Sequence, residues 1–355
     1  MRALTWQGRE RVRVEDVPDP RLEEPTDAVV RITSTAICGS DLHLFSVLGP
    51  FLEPGDVLGH EPMGVVEEVG NEVRSLKPGD RVVIPFVIAC GSCWMCSRGL
   101  HSQCETTQVR AHGKGAALFG YTTLYGQVPG GQAEYLRVPF ADVGPVVVPD
   151  DGEPDERYLY LSDVLPTAWQ AVEYADVPRA GDDVAEAVRE LSHGRGADSV
   201  VDAVGMEAHG SPVARGIQAG AGLLPDALAR PLFTRAGVDR LAALHTAVDI
   251  VRRGGTISLS GVYGGAQDPM PMLDLFDKQV TLRMGQANVH RWVPDVLPLV
   301  SDPADPLGVL DLRTHRLSLE DAAHGYDIFQ RKEDGAVKVV LDPAAPPARG
   351  GREAR

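Results

Sequence analysis

Cys90-Gly91-Ser92-Cys93-Trp94-Met95-Cys96, followed by Cys104, holds four of the five cysteines in a chain of 355 residues. At this spacing four thiolates close a tetrahedral shell around one zinc and leave no position open for a substrate. A pair of disulfides is the alternative. Cys93 and Cys96 sit too near their neighbours to pair without strain, and a cytosolic chain avoids disulfides. The residues between the cysteines (Gly91, Ser92, Trp94, Met95, Gly99) offer little core, so metal binding would supply the folding energy of the lobe. The lobe 90–104 therefore reads as a structural zinc site with no chemistry of its own.

The rest of the composition bounds the class. The length suits two domains, each with its own core, and 43% hydrophobic with 24% charged residues is ordinary for a globular protein. The first ten residues, MRALTWQGRE, lack an apolar run of signal-peptide length, and no stretch approaches a membrane span, so a cytoplasmic protein without a membrane partner is expected. A net charge of −16 opposes binding to a phosphate backbone and excludes nucleic acid as a partner. The end of the chain, 343–355 (PAAPPARGGREAR), reads as a disordered tail.

Residues 3–148 show short apolar segments broken by Gly and Pro. Strands are expected at 28–37, 65–69 and 81–86, with turns such as Lys77-Pro78-Gly79-Asp80 between them. That pattern belongs to an all-β barrel or sandwich. Two of its loops carry unusual chemistry: Cys38-Gly39-Ser40-Asp41-Leu42-His43 and Gly59-His60-Glu61, the latter followed by Gly64, Gly70 and Val73. A leftover cysteine is usually a small buried apolar residue. Cys38 shares its loop with a hydroxyl, a carboxylate and an imidazole, which argues for a ligand.

Together, the GHE-x2-G-x5-G-x2-V pattern, the upstream CGSD-x-H and the four-cysteine lobe resemble the zinc-dependent medium-chain alcohol dehydrogenase family. Stretches 161–167, 260–265 and 284–286 are similar to its glutathione-independent formaldehyde dehydrogenase branch. The resemblance implies an α/β plus β fold: a GroES-like β-barrel catalytic domain at 1–164, a nucleotide-binding domain at 165–287, and a return to the catalytic domain at 288–342. It implies a catalytic zinc on Cys38, His60 and a third ligand. No cysteine follows Cys104, so the third ligand is a carboxylate or an imidazole, and the resemblance places it at Asp163. The alternative role for Asp163 is a helix-entry carboxylate. Glu61 is similar to a residue behind the metal that can approach it, and Asp41 is expected to accept the second ring N–H of His60. Zinc would lower the pKa of an alcohol, with Ser40 and then His43 relaying the proton to solvent. Zinc has no redox chemistry, so hydride must pass to a nicotinamide cofactor, NAD. Position suggests Phe86, Phe119 and Trp292 as lining of a pocket for a small alcohol or aldehyde. Relatives form dimers or tetramers through the last strand of the nucleotide domain, which implies a homo-oligomer.

One part of the family pattern is missing. After the helix expected at 166–174, a buried strand, a G-x-G-x-x-G turn and a second strand ending in an acidic residue should follow. The chain instead runs Gly181-Asp182-Asp183-Val184 straight into a helix-like 185–191. Two βα units, on the order of 60 residues, are absent. Gly194-x-Gly196 precedes a strand rather than following one, and Gly220-x-Gly222 has no strand ahead of it, so neither cradles a phosphate. A strand at 199–204, a helix at 245–253 capped by Gly254-Gly255, and strands at 256–262 and 281–285 read as the second half of a Rossmann-type domain, strands 4, 5 and 6. Val204, Val262 and Gln286 would remain on its nicotinamide side.

Four readings follow. The first is a dehydrogenase with two zinc ions per chain, oxidising an alcohol or an aldehyde hydrate such as hydrated formaldehyde. The second is a non-catalytic zinc-binding remnant whose cofactor site left with the glycine loop. The third is an error or recent deletion in the recorded sequence across Asp182–Asp183. The fourth, a zinc-free quinone reductase-like protein, needs none of these ligands.

Overall fold

The computed structural model of the chain describes residues 1–175, 196–203, 242–263 and 270–347. The chain divides into two compact units, Met1–Pro166 with Asn288–Arg355, and Thr167–Ala287.

The first unit opens with an antiparallel hairpin of β1 (Arg2–Gly8) and β2 (Arg11–Asp16). The long strand β3 (Ala28–Ile37) follows and leads into the helix α1 (Gly39–Ser46). Next come β4 (Glu61–Val69), β5 (Arg81–Val83), β6 (Tyr135–Val138) and β7 (Val146–Val147). The short helix α2 (Glu156–Leu159) precedes α3 (Val164–Tyr174). Two strand boundaries differ from the sequence reading. β4 begins at Glu61 rather than 65, because residues 61–64 already pair with β3. Only glycine fits at position 64, where a Cβ would stand 2.1 Å from the Arg31 carbonyl oxygen. β5 stops short of residue 86: the Ile84 N–H still donates to Pro62 O of β4 (3.0 Å), but the Phe86 N–H turns away to Ser162 O (3.2 Å). The helix α3 starts two residues earlier than expected, with Pro166 in its first turn, where its missing N–H costs nothing.

The second unit holds β8 (Ala197–Asp202), α4 (Ala242–Ile250), β9 (Val251–Leu259), α5 (Met272–Asp277) and β10 (Thr281–Met284). Its strands are parallel in the order β10-β9-β8, as expected for the last half of a Rossmann-type sheet. Leu244, Ala247 and Val248 of α4 pack with Val251, Ile257 and Leu259 of β9. The helix does not run to 253 and is not capped by glycines. It ends at Ile250, and β9 begins at once. The Lys278 ammonium donates to the carbonyls of Val248 (2.6 Å), Asp249 (3.0 Å) and Val251 (3.3 Å), so a cation from elsewhere satisfies the helix C-terminus.

The chain returns to the first unit with α6 (Val289–Val300), β11 (His315–Ser318), α7 (Ala322–Arg331) and β12 (Val339–Asp342). These complete a seven-stranded sheet. β3 pairs with β4 along one edge. Along the other, its first half pairs with β6 and its last residues with β12. Val30, Ile32, Val66, Val82, Ile84, Leu136 and Val138 fill the barrel core. The tail does not begin at 343. Pro343 O accepts from Arg2 (2.9 Å), and the N–H groups of Ala344 and Ala345 donate to Asp342 Oδ1 (3.0 and 3.1 Å). Residues 348–355 lie outside the described residues.

Candidate metal centre

Antiparallel pairing brings three chain ends to one point. Ala36 of β3 faces Glu61, the first residue of β4, and Ile37 faces Val339, the first residue of β12. Cys38, His60, Glu61 and Lys338 therefore converge at one end of the sheet. The fourth approach comes from Asp163, whose neighbour Ser162 is tied to Phe86 by the backbone bond above. Gly59 allows the entry into His60: its φ is +98°, and a Cβ there would lie 2.5 Å from the Gln132 backbone nitrogen.

One donor atom from each of Cys38, His60, Glu61 and Asp163 lies within 4.8 Å of the others. Cys38 Sγ is 3.5 Å from Asp163 Oδ2, and His60 Nε2 is 3.4 Å from the same oxygen. Ordinary zinc–ligand bond lengths in a tetrahedron give edges of about 3.6 Å between sulfur and oxygen and about 3.4 Å between nitrogen and oxygen. Both separations fit a zinc ion on these three residues. The charge balance fits as well: burial, then the carboxylates of Glu61 and Asp163, push the Cys38 thiol up. Converging anionic donors of this kind call for a cation.

The imidazole is oriented from behind. His60 Nδ1 is 3.0 Å from Asp41 Oδ1, and Nε2 faces the other donors. Burial disfavours a charged His60, but Asp41, Asp163 and Cys38 outweigh it and hold its pKa well above the usual value. Asp41 also accepts the Cys38 N–H at Oδ2 (2.9 Å), which closes the first turn of α1. Ser40 Oγ lies 3.0 Å from His60 Nε2, at the edge of the donor cluster. His43 sits three residues further along α1 and is buried.

Three supporting residues were not legible in the sequence. Lys338 makes a buried ion pair with Glu61, which holds the ammonium pKa up against the cost of burial. Tyr326 donates to Gln132 Oε1 (2.9 Å), and Gln132 Nε2 reaches Asp41 Oδ2 (3.4 Å), so α7 supports the Asp41–His60 pair through a buried chain. No local motif marks these residues, because their partners lie 277, 194 and 91 positions away. Tyr121 was missed too. Its ring stands edge-on to His60 at 6.3 Å between centroids, as does that of Phe86. Phe119 belongs to the barrel core instead of a pocket. Trp292 is buried on α6, with the Arg291 guanidinium over its ring.

The second cluster is the lobe. Cys90, Cys93, Cys96 and Cys104 are all free thiols with their Sγ atoms within 4.8 Å of one another. Cys93 Sγ and Cys104 Sγ are 3.9 Å apart, close to the edge of about 3.8 Å set by zinc–sulfur bonds and far from a disulfide. Backbone N–H groups of Cys93, Cys96, Glu105 and Cys90 point at these sulfurs from 3.4–3.5 Å. Burial works against the Cys90 thiolate, but the Thr106 hydroxyl and nearby N–H groups outweigh it and bring the pKa to about 6.

In the second unit, Val262 and Gln286 follow the carboxyl ends of β9 and β10, the side on which parallel sheets bind ligands. Val262 is half-exposed, and Gln170 donates to Gln286 O (3.1 Å). Val204 lies outside the described residues, as do Asp182–Asp183 and the Gly220-x-Gly222 stretch. Gly196 directly precedes β8, the wrong end of a strand for a phosphate loop.

Residues 24–150 match the alcohol dehydrogenase GroES-like domain. The chain is 38% identical to the uncharacterized zinc-type alcohol dehydrogenase-like protein AdhB of Bacillus subtilis (strain 168), over 97% of this chain and 100% of that protein. This chain belongs to the zinc-type medium-chain alcohol dehydrogenase family. It is an alcohol dehydrogenase-like oxidoreductase with a GroES-like barrel and a Rossmann-type unit. The solved alcohol dehydrogenase TADH from Thermus sp. ATN1 shares the family fold with a TM-score of 0.73 at 33% identity, covering 96% of this chain and 99% of that one. Similarity to the glutathione-independent formaldehyde dehydrogenase of Pseudomonas aeruginosa, also 38%, covers 50% of this chain and 45% of that protein. The match to the Bacillus relative runs over 402 positions although this chain has only 355 residues, so the relative carries several dozen positions without a counterpart here. Among the described residues, no helix is long and apolar enough to cross a membrane.

Proposed function

We propose that this chain is a zinc-dependent dehydrogenase that oxidises a small alcohol or an aldehyde hydrate, with Cys38, His60 and Asp163 holding one zinc and the four lobe cysteines a second. The observation that carries the reading is the set of tetrahedral edges at the first site, 3.5 Å and 3.4 Å onto a single Asp163 oxygen. When bound, zinc supplies Lewis acidity that acidifies a hydroxyl near neutral pH, and NAD supplies the hydride acceptor that zinc cannot be. Asp41 fixes the ring of His60 so that Nε2 faces inward. Ser40 Oγ, next to that nitrogen, receives the substrate hydroxyl proton and passes it to His43 on the same helix. Lys338 pairs with one oxygen of the Glu61 carboxylate, the fourth member of the donor cluster. Val204, Val262 and Gln286 take the nicotinamide side of the cofactor.

A second reading is a non-catalytic zinc protein of the same family. The several dozen positions missing relative to the Bacillus protein favour it, since a dinucleotide without its glycine cradle loses the grip on the pyrophosphate. Calorimetric titration of NAD into the zinc-loaded chain decides between them. Micromolar binding followed by alcohol-dependent NADH formation supports the dehydrogenase. No heat at millimolar NAD, with both zinc sites filled, supports the non-catalytic protein.

A further inference from the structure

Behind the metal centre the buried polar groups converge on one side chain. Gln132 is fully buried, and its backbone is pinned twice: its N–H donates to Leu58 O (2.9 Å), and its carbonyl accepts from the Leu4 N–H (2.8 Å). Its side chain closes over Gly59, the residue before His60, where an added Cβ would stand 2.4 Å from Gln132 Cγ. Gln132 Nε2 reaches Ala36 O (3.3 Å), two residues before Cys38, and Asp41 Oδ2 (3.4 Å). A carbonyl and a carboxylate only accept, so the amide nitrogen must face them. Oε1 is thereby turned to the Tyr326 hydroxyl, which donates to it at 2.9 Å. Tyr326 is itself fully buried on α7, its ring 5.3 Å from that of Phe45 on α1. Asp41 Oδ2 is thus held by the Cys38 N–H and by Gln132, which leaves Oδ1 for His60 Nδ1. Neither of those last two atoms has another hydrogen-bond partner among the described residues.

From this convergence we propose that Gln132 is a positioning residue of the Cys38–His60–Asp163 site: its amide, oriented by Tyr326, holds the Asp41 carboxylate against His60 and so sets how tightly that site keeps zinc. The proposal rests on the metal-centre reading and adds two residues to it. An amide with both ends engaged in a dry interior has one favoured orientation, and removing the phenol hydroxyl frees it to turn. Groups that orient a ligand from behind typically change metal affinity by about 10–100-fold. Gln132 stands one residue further back than Asp41, so its removal is expected at the lower end, about tenfold.

The test is the zinc affinity of the full-length chain, measured by competition with a chromophoric chelator, with the lobe zinc as internal control. Comparison with Cys38→Ala assigns which bound ion belongs to this site. Gln132→Met keeps the length of the side chain and removes the amide; Tyr326→Phe keeps the ring and removes the hydroxyl. The expected result is zinc held about tenfold more weakly at the Cys38 site in Gln132→Met, a smaller loss in Tyr326→Phe, and an unchanged lobe. The double variant should be no weaker than Gln132→Met, because Tyr326 acts through the amide. Should Gln132→Met fail to fold, Tyr326→Phe decides: a loss confined to the Cys38 site supports the proposal, and no loss overturns it. Affinity within about twofold of the parent in both single variants, equal losses at both sites, or additive losses in the double variant overturn the proposal and leave the metal centre standing. Equal zinc binding by the parent and Cys38→Ala overturns the metal centre and the proposal with it.

Discussion

Lys338→Met is the substitution with the largest effect to be worked from the structure. The Lys338 side chain is 7% exposed and its partner Glu61 is 0% exposed, so neither charge has water to fall back on. Removing the lysine leaves a carboxylate buried beside Cys38 and Asp163, and breaking a buried pair in this way costs about 3–5 kcal/mol. The double change Glu61→Met/Lys338→Met removes both charges and should recover most of that loss, because well-packed apolar groups often replace a buried pair without penalty. The assay is urea unfolding at saturating zinc, followed by tryptophan fluorescence. Trp6, Trp94 and Trp292 all report on the first unit, and only Trp169 lies in the second. With a urea slope of about 1–3 kcal/mol/M, the single variant should shift the midpoint down by roughly 1 M or more. A shift below roughly 0.3 M, or a double variant weaker than the single one, would refute the claim that Lys338 neutralises Glu61.

Other expectations follow from the same geometry. Cys93→Ser should remove one of two zinc ions and loosen the lobe, leaving the Cys38 site loaded, as read by metal analysis and proteolysis across 90–104. Gly59→Ala forces a side chain into a left-handed backbone and against Gln132, so thermal stability and zinc content at the Cys38 site should fall together. Asp155 gives a pH signature. Burial raises its pKa, but the Thr33 hydroxyl and Arg81 outweigh this and hold it below the usual 3.8. A carboxyl lowered in the native state stabilises the fold at pH above the unfolded value, and this support disappears as pH falls through the native one. Thr33→Val should accordingly move the midpoint of acid unfolding to higher pH, measured by circular dichroism; an unchanged midpoint would show that the hydroxyl does not hold the carboxylate.

Much of the candidate site was legible because its donors come in short local motifs. Cys38 to His43 and Gly59 to Glu61 are each a few consecutive residues, and once the resemblance implied three ligands, cysteine counting left the third place to a carboxylate or an imidazole. Strand limits were less legible, since β4 begins at Glu61 through pairing with β3 and β5 ends where the chain turns toward Ser162. The C-terminus of α4 was misread for a related reason. Gly254-Gly255 is the usual stop signal, but Lys278, brought back by the turn before β10, satisfies the carbonyls first.

By itself, the sequence determined which donor atoms the chain carries and which of them are close neighbours, because ligand type and loop spacing are covalent facts. It likewise marked three parallel strands of the second unit but not their ends, since β8 covers 197–202 against the expected 199–204 and β9 covers 251–259 against 256–262. Only the tertiary structure decided that Asp163 comes within 3.5 Å of Cys38 across 125 positions, that Lys338 crosses 277 positions to Glu61, and that Tyr121 closes on His60. These meetings depend on strand register and on backbone close approach at glycines. Both are set by packing the whole barrel at once, and no single segment encodes them.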